Sequence, residues 1–296
     1  MIFEPLFTRI LSGEHAAADS SLKCIAGVVR PEFSRWVPRV SELDGLCPPI
    51  VERELPRGDV SVIVNLGGER DWLEPSRPER RHSLGNAWVS GLHDHSIITA
   101  SGRRTWFCFA QLTAEGAYRA LGVSPRELMN RIVPLEDMLG VTARDLISQM
   151  HDASSAHCRI QLLGHFLIER AAALTRWDTT MNYALSRIDT TQGTLGVMNL
   201  AREIGWSRKH LHRRMVQITG FGPSRWLQIV RFHAALKALN QRPAPSLARV
   251  AHALEYSDQS HFSREFREIA GMTATEYLST RAFSLDYAYA RLDMSH

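Results

Sequence analysis

The most ligand-like cluster in the sequence is His93-Asp94-His95. On a β-strand, residues i and i+2 lie on the same face, so the two imidazoles would be able to grip one cation. No third ligand stands at a persuasive spacing, although Glu69, His82 or a distant residue would be able to supply one. A polar turn between two strands is the favoured interpretation, and we expect no bound metal.

Cysteine chemistry is the other catalytic possibility. The four cysteines are far apart and form no C-x-x-C pair; they are Cys24, Cys47, Cys108 and Cys158. Cys108 lies in the apolar run Trp106–Ala110, where a thiol is more often an inert core residue than a nucleophile paired with a histidine. P-loop, G-x-G-x-x-G and G-x-S-x-G motifs do not occur. We therefore expect no catalytic residues, no cofactor and no enzymatic activity, and the scattered cysteines are typical of a reduced, cytoplasmic protein.

A different chemistry is carried by two polar segments near the C-terminus. They read SRKHLHRRMVQITG from Ser207 and SDQSHFSREFREIAG from Ser257. Apolar residues recur in each at helical spacing, which leaves Arg, Lys, Gln, Ser and His for the opposite face. Such side chains reach base edges or phosphates when a helix lies in the major groove of DNA. The alternative is a solvated helical surface.

These two segments belong to an internal repeat. Leu200–Ser207 matches Val250–Ser257 at an offset of 50, with Ala201 on Ala251, Trp206 on Tyr256, and serine on serine. Beyond the serines the offset becomes 51, because the second copy has one inserted residue. The sequence therefore predicts two copies of one structural unit.

Each copy predicts a helix, a tight turn and a second helix. The alanine marks a close helix crossing, and Ser207 or Ser257 is predicted to cap the second helix at its N-terminus. Gly220 and Gly271 are placed as C-terminal caps. This arrangement is a helix-turn-helix, whose second helix enters the major groove.

A longer helix is predicted between the two units, over Phe221 to Asn240. Pro223 suits a first helical turn, and apolar residues from Trp226 to Leu239 recur at helical spacing. Such a helix is about 25 Å long, close to the spacer that would set two recognition helices one DNA turn, roughly 34 Å, apart.

The stretch 182–285 closely resembles the DNA-binding domain of the AraC/XylS family of bacterial transcription regulators. The resemblance rests on residues 200–232 and 247–278, above all on YSDQSHFSREF from Tyr256 and GMTATEY from Gly271. Two departures are Glu255, where the family usually has glycine, and Ala274, which replaces a proline before the last helix. Glu255 is expected to tighten the turn without abolishing it.

This resemblance implies a domain of two helix-turn-helix units that occupy adjacent major grooves. The family's base-contacting positions fall on Lys209, His212, Arg213, Gln259, Ser260, Ser263 and Arg264. Arg213 and Arg264 are also the natural choices for bidentate contact with guanine. For each residue the alternative is a phosphate contact or a surface ion pair. Arg208, Arg214 and Arg267 are expected to contact phosphates. The His210/His212 pair is not a metal site, because residues i and i+2 on a helix point apart.

The chain as a whole is predicted to be of the α+β class, with an all-α C-terminal domain. Its N-terminal part is predicted to have β-rich residues 1–110 followed by a helical segment, residues 111–180, that has a possible role in dimerisation. Short β-prone runs separated by turn residues favour an antiparallel sheet or small barrel, and the runs are 49–54, 60–66, 87–91, 97–101 and 105–110. Predicted helices cover 114–121, 124–131, 135–150 and 156–174. Residues 53–67, 121–123 and 133–137 more faintly resemble the cupin-like or related sensor halves of some AraC/XylS members. Trp72, Trp88, Trp106 and Phe109 are candidates to line an effector pocket, or are plain core.

The distribution of charge agrees with this division. The net charge of the 296-residue chain is +4. Residues 185–285 hold 14 basic and 7 acidic residues, a net of +7, whereas the remainder holds 21 and 24, a net of −3. Neither a membrane span nor a signal peptide is evident, and residues 286–296 are expected to be a C-terminal tail.

The sequence therefore predicts a cytoplasmic transcription regulator with a sensor half and a DNA-reading half. Double-stranded promoter DNA and RNA polymerase are the expected partners, with a possible small-molecule effector, a possible homodimer and no membrane contact. Activation is expected rather than repression. The alternatives are a thiol- or metal-dependent enzyme that carries a DNA-targeting domain, and a protein–protein adaptor.

Overall fold

A computed structural model describes residues 6–17, 20–74, 77–174, 178–241, 243–280 and 289–291. The end of the predicted C-terminal domain, residues 281–285, and most of the predicted tail lie outside the described residues. Within them, no helix has the length and apolar character needed to cross a membrane.

The N-terminal half is built on two antiparallel sheets. Its strands are β1 (Phe7–Ala17), β2 (Ser20–Val29), β3 (Arg39–Leu46), β4 (Ile50–Glu54), β5 (Val60–Gly67), β6 (Arg70–Glu74), β7 (Arg77–Ser83), β8 (Ala87–Ser90), β9 (Ile97–Ser101), β10 (Arg104–Leu112) and β11 (Ile132–Pro134). The larger sheet has the order β1-β2-β3-β10-β5-β8-β11. The smaller has the order β12-β4-β9-β6-β7, where β12 is Tyr289–Arg291 from the predicted tail. The prediction of a β-rich N-terminal region is confirmed.

Alternate side chains of strand β10 face two different parts of the core. Phe107 and Phe109 point to one face, where they join a buried cluster with Ile63 and Trp88. Cys108 and Ala110 point to the other face and belong to the main core. Trp106 shares that second face, so of the aromatic residues proposed above to line a pocket, Trp88 and Phe109 lie together and Trp106 does not join them.

Trp106 instead belongs to a polar cluster beneath α5 (Ala156–Ala173). Its indole N–H donates to Glu42 Oε1 at 3.0 Å. The Arg159 guanidinium donates to both Glu42 oxygens at 2.7 Å and stacks 5.1 Å from the Trp106 ring. The buried carboxylate is therefore fully paired, which anchors α5 on the larger sheet.

The helices that follow the sheet are partly as predicted. Helix α2 (Ala114–Leu121) and α5 occupy the expected positions, and the α5 stripe Ile160, Leu163, Leu167 and Ala171 is fully buried. Short α1 (Pro31–Ser34) precedes β3. The expected helix over 124–131 is wrong: a 3-10 helix spans only Pro125–Leu128, since Met129 is extended and Asn130 has a φ of 55°. The expected helix over 135–150 is divided at Gly140 (φ 57°) into α3 (Leu135–Leu139) and α4 (Val141–Asp152).

The C-terminal half is helical, as predicted. Its elements are α6 (Thr179–Thr190), α7 (Val197–Glu203), α8 (Arg208–Thr219), α9 (Pro223–Leu239), α10 (Leu247–Ala253), α11 (Gln259–Ala270) and α12 (Ala274–Thr280). The main core continues from the sheets through α5 into α6, α7, α8 and the first half of α9. A second core joins the remainder of α9 to α10, α11 and α12 and includes Leu55 from the N-terminal half.

Candidate nucleic-acid interface

The first helix-turn-helix unit consists of α7, a four-residue turn and α8. Ala201 is buried at the crossing, and its carbonyl accepts a hydrogen bond from the backbone N–H of Trp206 at 2.9 Å. Gly205 takes a φ of 70°, which reverses the chain. Ser207 then caps α8 by accepting from the backbone N–H of His210 at 3.1 Å. The predicted cap and turn are therefore confirmed in this unit.

The second unit, α10 and α11, repeats this construction with one difference. Ala251 is buried and its carbonyl accepts from the backbone N–H of Tyr256 at 3.0 Å. Helix α11, however, is capped by Asp258, whose Oδ1 accepts from the backbone N–H of His261 at 2.6 Å. The predicted cap at Ser257 is thus wrong, because the residue inserted in the second copy moves the cap one position along the chain.

Both recognition helices end in the same way. Gly220 (φ 84°) and Gly271 (φ 69°) adopt the left-handed conformation directly after α8 and α11. In each, the glycine N–H donates to a carbonyl four residues earlier, that of Val216 at 3.1 Å and that of Arg267 at 2.9 Å. The predicted C-terminal caps are confirmed.

The residues predicted to contact bases in the first unit share one exposed face of α8. Lys209, His212 and Arg213 are all exposed, and their spacing of three and four residues puts them side by side. In the described part of the chain, neither Lys209 nor Arg213 is paired with a carboxylate; the nearest partner of Arg213 is His210 Nδ1 at 3.4 Å. Leu211 and Met215 are fully buried on the opposite face.

The second unit presents an equivalent face. Ser260, Ser263 and Arg264 stand 51 residues after Lys209, His212 and Arg213. Arg264 is exposed and has no ion pair among the described residues, whereas Ser263 Oγ donates to the Gln259 carbonyl at 2.8 Å. Phe262 and Phe266 are buried behind this face. The structure therefore places the predicted base-contacting residues on two matching exposed surfaces.

The three residues predicted to contact phosphates differ in their surroundings. Arg208 and Arg267 are exposed at the beginning of α8 and in the last turn of α11. Arg214 is instead part of an ion pair: its guanidinium donates to Asp178 Oδ2 at 2.6 Å and to Gln217 Oε1 at 3.0 Å. Arg214 would have to leave Asp178 in order to contact a phosphate.

Helix α9 joins the units and fixes the second one. Arg231 donates to both oxygens of the buried Glu265, at 2.8 and 3.1 Å, and lies 4.2 Å from the centre of the Tyr256 ring. Tyr256 also donates its hydroxyl to Glu265 at 2.6 Å, and burial together with this bond raises the pKa of Tyr256. The recognition helix α11 is therefore tied to α9 by a desolvated polar cluster.

Sequence reasoning missed one residue next to this surface. Arg126, in the 3-10 helix of the N-terminal half, shares an open cleft of about 580 Å³ with Lys209, His212 and Arg213. A contact between residues 83 or more positions apart leaves no local pattern in one sequence, so no sequence signal pointed to it.

The catalytic alternatives considered for the N-terminal half find little support. Cys108 is fully buried, and burial raises the pKa of its thiol well above the ordinary value, which keeps it protonated. His93 is buried against Ser90, whereas the exposed His95 is bonded to Asp94 at 2.7 Å. Among the described residues, no group of three or more His, Cys, Asp or Glu side chains is arranged to hold a metal.

Paired short helices whose second helices expose polar side chains define the C-terminal half as a helix-turn-helix domain, the class that binds DNA through the major groove. Comparison with known proteins agrees. Residues 200–280 match a family model described as a helix-turn-helix domain. Over 95 residues the chain is 35% identical to the HTH-type transcriptional activator RhaS of Pectobacterium carotovorum, covering 29% of this chain and 33% of that protein. The chain thus spans about a third of the length of the curated relatives it matches.

Two solved structures are similar over a larger share of the chain. ToxT of Vibrio cholerae is 10% identical, with a TM-score of 0.44 over 78% of this chain and 96% of that one. The AraC-like transcriptional activator CuxR is 14% identical, with a TM-score of 0.33 over 78% and 86% of the two chains. Over its C-terminal helix-turn-helix domain the chain is similar to a transcriptional activator, and residues 200–280 match a helix-turn-helix family.

Proposed function

We propose that this protein is a sequence-specific DNA-binding regulator of transcription. The observation that carries the proposal is the pair of matching exposed faces on α8 and α11, each with an exposed arginine that forms no ion pair among the described residues. Cations left unpaired on a helix surface are complementary to DNA phosphates and to guanine O6 and N7. Both recognition helices are also fixed from behind by buried apolar residues, so the faces are preorganised.

The division of labour follows from position. Lys209, His212 and Arg213 would read one major groove, and Gln259, Ser260, Ser263 and Arg264 the next. Arg213 and Arg264 would each contribute about 1–3 kcal/mol of discrimination through bidentate contact with guanine. Arg208, Arg267 and, once released from Asp178, Arg214 would hold phosphates and set the register.

The role of the N-terminal half rests on less direct support. We propose that it senses a small-molecule effector, mediates homodimerisation, or does both, and that an effector acts by favouring one arrangement of the two halves. RhaS is named as a transcriptional activator, which supports activation as the mode of regulation. We propose that the protein acts together with RNA polymerase at a promoter in the cytoplasm. We infer that the protein acts by binding and not by catalysis.

Salt dependence of DNA binding tests this proposal. Purified full-length protein is titrated onto promoter-region DNA at several salt concentrations, and the affinity is expected to fall steeply, since each phosphate contact adds a slope of about −0.9 to the log–log plot. A genome-wide map of bound DNA with and without candidate metabolites then identifies the operator and any effector dependence. A flat salt plot would contradict DNA binding as the function.

A further inference from the structure

The open cleft beside α8 brings together basic side chains from both halves of the protein. Lys209, His212 and Arg213 line it from the recognition helix, and Arg126 lines it from the 3-10 helix Pro125–Leu128. None of the described residues that line the cleft carries a carboxylate. The side chain of Arg126 is exposed and has neither a hydrogen bond nor an ion pair within the described ranges. Like charges gathered in this way are complementary to an anionic partner.

The position of Arg126 is built into the packing of the two halves. Ser124 Oγ donates to the carbonyl of Gln217 at 2.9 Å, at the C-terminal end of α8. Met129 packs against Gly220, where an added Cβ would come within 2.9 Å of the methionine sulfur. Leu128, which lies between Ser124 and Met129 in the sequence, is buried and anchors this segment in the main core. Arg126 is therefore held at the C-terminal end of the recognition helix.

That end of α8 is where a DNA backbone would pass. The twelve residues of α8 span about 18 Å at 1.5 Å per residue, whereas the major groove is about 12 Å wide. A recognition helix contacts base edges with its N-terminal residues, so its last turn stands at the level of the phosphates.

We propose that Arg126 contacts a backbone phosphate that flanks the half-site read by α8, so that the N-terminal half forms part of the DNA-binding surface. The inference rests on the proposed function. The occupant is DNA because the cleft is open and continuous with the exposed face of α8. A small free anion is the competing occupant and is an outcome of the test below.

The test compares the full-length wild-type protein with Arg126→Ala and Arg126→Lys, using Arg144→Ala as a matched control. Arg144 is an exposed arginine on α4 of the same half and has no ion pair among the described residues. Arg126→Ala is expected to weaken binding about five- to tenfold near 0.1 M salt on every sequence, and to lower the salt slope by about one. Arg126→Lys should retain the slope, and Arg144→Ala should behave as wild type.

Phosphate-ethylation interference locates the contact. One ethylated phosphate beside the first half-site should block the wild type and no longer affect Arg126→Ala, while the preferred base sequence stays the same. If Arg126→Ala binds DNA with the affinity, salt slope and interference pattern of the wild type, the inference is overturned and the proposed function stays intact. Tighter DNA binding by Arg126→Ala would also overturn the inference. So would saturable binding of inorganic phosphate to the wild type that Arg126→Ala abolishes, if the salt slope of DNA binding stays the same. Absence of DNA binding by the wild type would instead reject the proposed function itself.

Discussion

Neighbouring carboxylates decide what each arginine of this protein is able to do. Arg159 and Arg231 are held by the buried Glu42 and Glu265 and serve to stabilise the fold. Arg213 and Arg264 are exposed and have no such partner in the described residues, so their charge remains available to a ligand. The number of arginines in the sequence does not show which of them are paired, because the pairing depends on contacts between distant segments.

Two desolvated histidines, the buried His93 and the half-buried His233, make stability depend on pH. Desolvation lowers the pKa of His93 and of His233 from 6.5 to about 4, so both imidazoles are neutral in the folded protein. The unfolded chain takes up these protons below pH 6.5 and the folded chain does not. The free energy of unfolding should therefore fall as the pH drops from 6.5 to 4, by about 2 kcal/mol for each histidine between pH 7 and pH 5.

Denaturant unfolding of the wild type and of His233→Gln at pH 7 and pH 5 measures this effect. The variant should lose less stability than the wild type over this interval, because glutamine does not titrate. An equal loss in both proteins would show that His233 is already charged, or already accessible to protons, in the folded state.

The turns of the two helix-turn-helix units differ at a single strained position. Gly205 in the first turn and Glu255 in the second both adopt left-handed backbone, with φ of 70° and 56°. A residue with a Cβ is strained in this conformation by roughly 1–2 kcal/mol, whereas glycine is not. The expected tightening of the turn by Glu255 is therefore better described as strain at a position that suits glycine.

Glu255→Gly should stabilise the protein by about 1 kcal/mol, since the relief of strain is partly offset by the greater freedom of glycine in the unfolded chain. Thermal unfolding of the full chain measures the change. Gly205→Ala is the matched control and should destabilise by a similar amount, because no atom lies within 4 Å of the added Cβ and only backbone strain remains. A Glu255→Gly protein that is no more stable than the wild type would contradict this account of the turn.

Helices, turns and caps were predictable from the sequence where the pattern that specifies them lies within a short segment. The repeat, the glycine caps and the apolar stripe of α5 are patterns within short segments, and the structure confirms them. The cap at Asp258 was missed because Ser257 and Asp258 are both good caps, and only the chain geometry selects between them. The hairpin of β1 and β2 was missed because its alternation of apolar and polar residues is weak, and β2 is stabilised in addition by pairing with β3.

At the scale of the whole molecule, the two halves are packed together rather than merely tethered. Arg225 on α9 donates to the Asp94 carbonyl at 2.6 Å and to Glu268 at 2.9 Å, which joins a loop of the N-terminal half to the second recognition helix. Trp226 lies against Gly58. The sequence predicted the division of charge between the halves. The contact between the halves joins residues that are far apart in the chain, such as Arg225 and Asp94, so it left no local sequence pattern. The N-terminal half is therefore connected to both recognition helices, to α8 directly through the 3-10 helix segment and to α11 through Arg225 on α9.

Selection of bound sequences from a random duplex DNA library tests the central claim most directly. The account predicts a motif of two half-sites whose centres lie about one helical turn, roughly 10 base pairs, apart. Arg213→Ala should blur the sequence preference in one half-site and Arg264→Ala in the other, each leaving its neighbour intact. Failure to enrich any sequence, or loss of the same bases in both variants, would contradict reading of DNA by two separate helices.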